Sequence, residues 1–224
     1  MDALTLDGFT LFHHLDALRQ WELDQPFAPL LVEIHPIAPN PKDPLLPGER
    51  FLNLVRELGA MGIGSVLIAG PGEPLHHPDT LEALRLGREL GLRMTLLTAS
   101  DPWRRVEESQ RPTGIRVLFR ERIPAPTTAE PREYARCLGL PFIALVTADA
   151  KVRSCSDPGA GPESICGDLN HEAFSTLWPA AQPLRTRLSW ELDPRMVCPV
   201  TCRHHGINRV LWRHLHPPEH VAFI

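Results

Sequence analysis

At 224 residues the chain is long enough for one large domain, or for one domain with an appendage. Its 43% hydrophobic and 22% charged residues are the proportions of a globular chain that buries a core. A formal charge of −4 gives no electrostatic surface for nucleic acid or anionic lipid, and no apolar run reaches membrane-spanning length. The first residues, MDALTLDGFTLFHHLDALRQW, carry acids where an export signal would carry bases, so a cytoplasmic protein with reduced cysteines is expected.

Residues 8–21 read as a short amphipathic helix, with Phe12, Leu15, Leu18 and Trp21 near helical spacing. Leu30 to His35 is an apolar run of strand length stopped by Pro36. The segment 36–48, PIAPNPKDPLLPG, holds five prolines and is excluded from regular structure. A helix is predicted from Glu49 to Gly59, a buried strand from Gly64 to Ala69, and a helix from Thr80 to Leu90 closed by Gly91. A third strand follows at Arg93 to Leu97, then a short helix at Pro102 to Glu108 with Asp101 as its cap. The series closes with a strand at Ile115 to Phe119, a helix at Pro131 to Leu138 and a strand at Phe142 to Thr147. Such alternation, with strands apolar on both faces, implies a parallel sheet covered by helices, open or as part of a barrel. In such folds active groups gather at the C-terminal ends of strands, where His35, the Gly70–Pro74 loop, Thr98 and Arg120 stand.

Beyond Asp149 the alternation stops. Lys151 to Ser154 reads as a short strand, with helices at His171 to Leu177 and Ile207 to Leu215, and a boundary is placed near 148. The part 149–224 is short of apolar segments for a core of its own, so a metal staple would suit it. Four of the five cysteines lie there. Cys155 and Cys166 stand in SCSDPGAGPESICGDL, and Cys198 and Cys202 in MVCPVTCRHHGIN; Cys137 reads as core. Their thiolates can enclose one metal ion or a small iron–sulfur cluster. Zinc is the alternative, held by four thiolates or by Cys198, Cys202 and His204 or His205. The remaining alternative is buried thiols used as apolar filler. His214, His216 and His220 read as part of a packed amphipathic tail. No Ser/His/Asp set, P-loop or dinucleotide fingerprint is visible.

Several of these pieces, in order, resemble radical S-adenosylmethionine (radical SAM) enzymes. PLLVEIHP resembles the first strand of that family. Gly70-Pro71-Gly72-Glu73-Pro74 resembles its GGEP loop, and Thr98-Ala99-Ser100 stands in the place of a TNG-like motif. Three features resemble the SPASM or twitch appendage of the superfamily. They are the hairpin before Cys155, the Gly-Asp-Leu turn before a helix ending in Trp178, and Cys198-Pro-Val-Thr-Cys202 with Asn208 behind it. The ending His220-Val-Ala-Phe-Ile224 resembles tails of such proteins.

The resemblance implies a partial (β/α) barrel over 1–148 and a SPASM/twitch-like metal-binding appendage over 149–224. It also implies a [4Fe-4S] cluster on Cys155, Cys166, Cys198 and Cys202, and a cofactor cradle at Gly70, Pro71, Gly72, Glu73 and Pro74. One departure counts against the family's chemistry. Its CxxxCxxC loop would follow the first strand, and residues 36–44 contain no cysteine. Five strands stand where the family has six. The chain therefore resembles a degenerate member, from which reductive cleavage of S-adenosylmethionine is not expected.

Three functions remain in view. A non-radical iron–sulfur accessory protein or pseudoenzyme would pass electrons to a partner enzyme or redox protein, or present a small-molecule or peptide substrate. An enzyme in its own right would bind S-adenosylmethionine or another small molecule in a cleft lined by Glu33, His35, Glu73 and Arg116 or Arg120. A zinc-stapled binding module is the third. A proline-rich loop lying over the barrel mouth would favour the first.

Overall fold

The computed structural model describes residues 8–40, 42–43, 45–123, 131–157, 160–199, 202–217 and 219. Before the first strand come a 3₁₀ turn at Gly8–His13 and α1 (Leu15–Glu22), so the single helix expected over 8–21 is broken at His14. Four strands then lie side by side and parallel in chain order: β1 (Leu31–Ile34), β2 (Ser65–Ile68), β3 (Arg93–Thr98) and β4 (Arg116–Phe119). The crossovers between them carry α2 (Gly48–Ala60), α3 (Thr80–Glu89) and α4 (Ser100–Arg105).

The fifth strand departs from a sequential barrel order. β5 (Ile143–Val146) pairs parallel with β1 on the side away from β2, not with β4. Its four residues are fully buried, which a central position provides. β4, by contrast, fully buries none of its residues, as an edge strand does. β6 (Lys151–Arg153) and β7 (Ile165–Asp168) then add antiparallel. The order β4-β3-β2-β1-β5-β6-β7 is a linear, mostly parallel seven-stranded sheet, and it runs unbroken across residue 148.

The two-residue period of the strands divides their side chains between two environments. Val32, Ile34, Val66, Ile68, Met94, Leu96, Ala144 and Val146 face the main core. There they meet Phe51, Leu54, Val55 and Leu58 of α2 and Ala83 and Leu84 of α3. Phe174, Leu177 and Trp178 of α5 (Phe174–Ala180) complete that core. Each of the larger aliphatic and aromatic side chains contributes about 1.5–3 kcal/mol through its burial. The opposite face is thinner in apolar cover, with Leu67, Ala69 and Leu97 at its centre and Leu31, Leu118 and Ile123 packed on them. Glu33 alternates with Val32 and Ile34, and so lies on this second face.

The helix expected at Pro131 to Leu138 does not form; these residues run as an irregular stretch. Its side chains are drawn toward the C-terminal segment instead. Arg132 donates to the carbonyls of Pro194, Cys198 and Pro199, and the Tyr134 hydroxyl meets His205 Nδ1 at 2.8 Å. After α5 come α6 (Gln182–Glu191), the short α7 (Pro194–Val197) and α8 (His205–Leu215). Among the described residues no helix is long and apolar enough to cross a membrane.

Candidate functional site

The GPGEP loop leaves the C-terminal end of β2, and its glycines are placed by close approach. Gly70 has φ +136°, open to glycine and strained for other residues, and a Cβ there would meet the His35 side chain at 3.2 Å. A Cβ on Gly72 would lie 2.3 Å from Ile37 Cγ2 and 2.7 Å from the Ala38 carbonyl oxygen. The segment after β1 therefore lies directly on the loop. The Gly72 carbonyl is taken by Arg120, whose Nη2 donates to it at 2.7 Å. The proline-rich segment is itself tied down. Leu46 is fully buried, its N–H donates to the Pro36 carbonyl at 3.0 Å, and its carbonyl accepts from His77 Nε2 at 2.6 Å. Pro41 and Pro44 fall outside the described residues.

Glu73 is committed within the protein. Oε1 accepts from Thr98 Oγ1 at 2.6 Å and from the Leu75 N–H at 3.1 Å, and Oε2 accepts from the Ala99 N–H at 2.9 Å. The carboxylate thus caps the turn Pro74–His76 and fastens the end of β2 to the end of β3. Nor do Glu33 and His35 line an open cleft. His35 Nε2 donates to Glu33 Oε1 at 2.6 Å, Arg203 Nη1 donates to Oε2, and Glu33 is 1% exposed. Arg116 is exposed on the edge strand.

Of the four expected cysteine ligands, one stands apart from the other three. Cys198 and Cys202 hydrogen-bond to each other, and Cys155 packs with Cys137, with charge on the one pair opposing ionisation of the other. Cys137 and Cys155 share an apolar pocket with Leu140, Leu184 and Leu188. Cys166 is directed elsewhere. It packs against the main core, with its thiol beside Arg185, Ser154 and the Ser164 carbonyl. Burial pushes the Cys137 thiol up to about 12 and Cys155 up to about 11. Cys202 is held well below the usual thiol range, first by a hydrogen bond from Cys198 and then by His204, while that same bond raises Cys198.

The backbone that carries these thiols is anchored from two sides. Arg132 Nη1 donates to the carbonyls of Pro194 at 2.9 Å and Cys198 at 3.0 Å, and Arg203, next to Cys202, reaches Glu33 on β1. Among the described residues no group of three His, Cys, Asp or Glu side chains closes to the spacing that chelates a single ion. Residues 200–201, between the last two cysteines, and the tail from His220 lie outside the described residues. His214 pairs with Glu22 and His216 stacks on Trp212, in keeping with a packed tail.

Cys137 is buried in an apolar cluster, as its reading as a core residue predicts. Two of its neighbours reach across the fold, Arg132 with donors for carbonyls and Tyr134 with a hydroxyl. Both side chains tie this stretch to the segment that bears Cys198 and Cys202.

No protein-family model and no curated protein matches the sequence. Among solved structures the fold is similar to that of BtrN, a radical SAM enzyme. With BtrN in complex with AdoMet and 2-DOIA the TM-score is 0.56 at 11% identity, over 80% of this chain and 96% of BtrN. With selenomethionine BtrN in an open conformation it is 0.55 at 12% identity, over 82% and 98%. The likeness establishes a radical SAM-like α/β fold.

Proposed function

We propose that this chain is a non-radical iron–sulfur protein on a radical SAM-like fold, an accessory protein or pseudoenzyme that holds one [4Fe-4S] cluster through Cys137, Cys155, Cys198 and Cys202. What supports the reading is the pairing of Cys137 with Cys155 in one apolar pocket and of Cys198 with Cys202 by a hydrogen bond, on a segment anchored by Arg132 and Arg203. A cluster with four thiolates has no open iron, so it would relay electrons to a partner enzyme or redox protein, or staple the region after residue 148. In this revised set Cys137 replaces Cys166.

The site of a catalytic cluster does not fit the residues present. The segment after β1 has no cysteine, Ile37 and Ala38 cover Gly72, and the Glu73 oxygens already serve Thr98, Ala99 and Leu75. BtrN binds AdoMet in its own structure. Here the Gly70–Pro74 loop is packed under the chain's own segment, which favours the accessory reading over an enzyme that uses AdoMet.

The test is metal and sulfide analysis with an absorbance spectrum on protein purified without oxygen, as wild type, Cys137→Ala and Cys166→Ala. About four irons and four sulfides per chain are expected in the wild type and in Cys166→Ala, with loss in Cys137→Ala. About one zinc per chain would replace the cluster with a structural staple. Neither metal in any preparation would sink the reading. Calorimetric titration with AdoMet is expected to give no heat.

A further inference from the structure

We propose that the outer edge of β4 is a docking site for an acidic, extended segment of a partner polypeptide, which joins the sheet there as a further strand. The edge exists because of the strand order. β5 pairs with β1, so among the described residues no strand lies on the side of β4 away from β3. Such an edge offers N–H and C=O groups to any chain that can lie along it, and proteins commonly blunt it with a bulge, a cover or charge. The other edge strand, β7, is blunted in this way. Its pairing with β6 is irregular between Val152 and Arg153, and a bulge of that kind twists an edge away from a second chain. β4 has no such shift. Arg116 to Phe119 stand in unbroken register with Thr95 to Thr98, and none of the four is fully buried.

Charge selects the occupant. From Arg104 to Arg122 the chain carries six arginines against three glutamates, in a protein whose net charge is −4. Arg111 donates to the carbonyls of Trp103 and Val106, and Arg120 to that of Gly72; neutral acceptors leave both charges uncancelled. The carboxylate nearest the strand end, Glu121, accepts from the Ser100 N–H. Arg116 is exposed at the start of β4, and Arg122 lies over the Phe119 ring at 5.1 Å. Among the described residues neither pairs with a carboxylate. Acidic side chains on alternate positions of an added strand would answer them, since opposite charges across a strand pair attract and like charges repel. That repulsion also argues against a second copy of this chain. Two β4 strands paired about a two-fold axis would bring Arg116 of each copy toward the arginines that follow Phe119 of the other. In strand addition the main chain supplies the affinity and the side chains the selectivity. This edge shares no residue with the cysteine segments, so protein with or without metal serves for the test.

The experiment titrates the full-length chain into a fluorescent, end-blocked peptide of about six residues that alternates glutamate with valine, and follows anisotropy. Two control peptides carry lysine in place of glutamate, or methyl groups on alternate amide nitrogens that prevent strand pairing. Arg116→Glu combined with Arg122→Glu changes only exposed side chains, and circular dichroism confirms its fold. The wild type is expected to bind the glutamate peptide saturably, and the double variant to bind it at least about tenfold more weakly. Neither control peptide should bind. Hydrogen exchange at the amides of 116–119 should slow in the complex. No binding by the wild type would overturn the proposal, as would equal binding of the lysine peptide. Undiminished binding of the methylated peptide would reduce the contact to charge alone and overturn strand addition. A wild-type dimer with its 116–119 amides protected would give the edge to a second copy and exclude the acidic partner.

Discussion

Glu73 separates a worn-down cofactor loop from a working one, because the two readings give opposite results for one substitution. In a cofactor cradle the carboxylate is held for a ligand, and removing it leaves the unliganded protein as stable as before. Here it accepts three hydrogen bonds from Thr98, Leu75 and Ala99. In Glu73→Ala these donors are affected unequally. The Thr98 hydroxyl retains the Ala99 carbonyl at 3.2 Å, and the half-buried Leu75 N–H can turn to water. The Ala99 N–H loses its acceptor at the junction of β3 and α4. One orphaned donor plus the lost charge assistance at Thr98 comes to about 2–3 kcal/mol. For a chain of this length that lowers the melting temperature by roughly 5–10 °C. Glu73→Gln should cost somewhat less, because its oxygen still serves Thr98 while its amide opposes the Ala99 N–H. Urea and thermal denaturation of the apo-protein read both. Wild-type stability in Glu73→Ala, together with heat of AdoMet binding in the wild type that the variant loses, would refute the structural account and restore the cradle.

Two further outcomes follow from charged pairs. Arg203→Met leaves the Glu33 carboxylate buried with only His35 as its partner, and should destabilise the apo-protein by about 3 kcal/mol, the low end for a broken buried pair. Glu33→Leu combined with Arg203→Met should recover part of that loss in urea denaturation; a single variant as stable as wild type would sink the idea of an anchor. At Asp168 burial raises the carboxyl, but the hydrogen bonds from Lys151 and the Asn170 N–H, with the charges of Lys151 and His171, bring it below its ordinary value. A depressed carboxylate contributes above its unfolded pKa and loses that contribution as pH falls through its folded value. Lys151→Met should therefore cost about 1 kcal/mol from pH 5 to 7, with the gap closing below about pH 4. A gap that did not shrink at all between pH 5 and pH 2 would contradict the pairing.

The parts of the fold legible in the sequence are those set by local pattern. Leu30 to His35, Gly64 to Ala69 and Arg93 to Leu97 are apolar runs bounded by glycine or proline, and they became β1, β2 and β3 nearly as predicted. Strand order is a different kind of information. Nothing in Phe142 to Thr147 records that its neighbour is β1 and not β4, because an all-apolar strand suits any central position. α6 also escaped notice. Its apolar residues do not gather on one stripe, since Arg185 is buried in it beneath Trp178 while Trp190 lies exposed with Arg136 over its ring. A helix that buries an arginine and exposes a tryptophan gives no periodic signal.

The candidate site shows the same limit more sharply. Cys166 and Cys155 are close in sequence, yet the irregular step between β6 and β7 sends their side chains to different environments, one to the main core and one to the cysteine pocket. In a strand, one residue of displacement changes the face, so sequence proximity cannot decide which thiol turns inward. Cys137 is separated from Cys198 by some sixty positions and reaches it because Arg132 spends its donors on the Pro194, Cys198 and Pro199 carbonyls. Residues 131–138, expected as a helix, run irregularly, and Arg132 there serves three carbonyls of the 194–199 segment. The residues around Cys137 are shaped by what they hold across the fold, and Arg132→Ala should loosen the Cys198 segment before it disturbs the sheet.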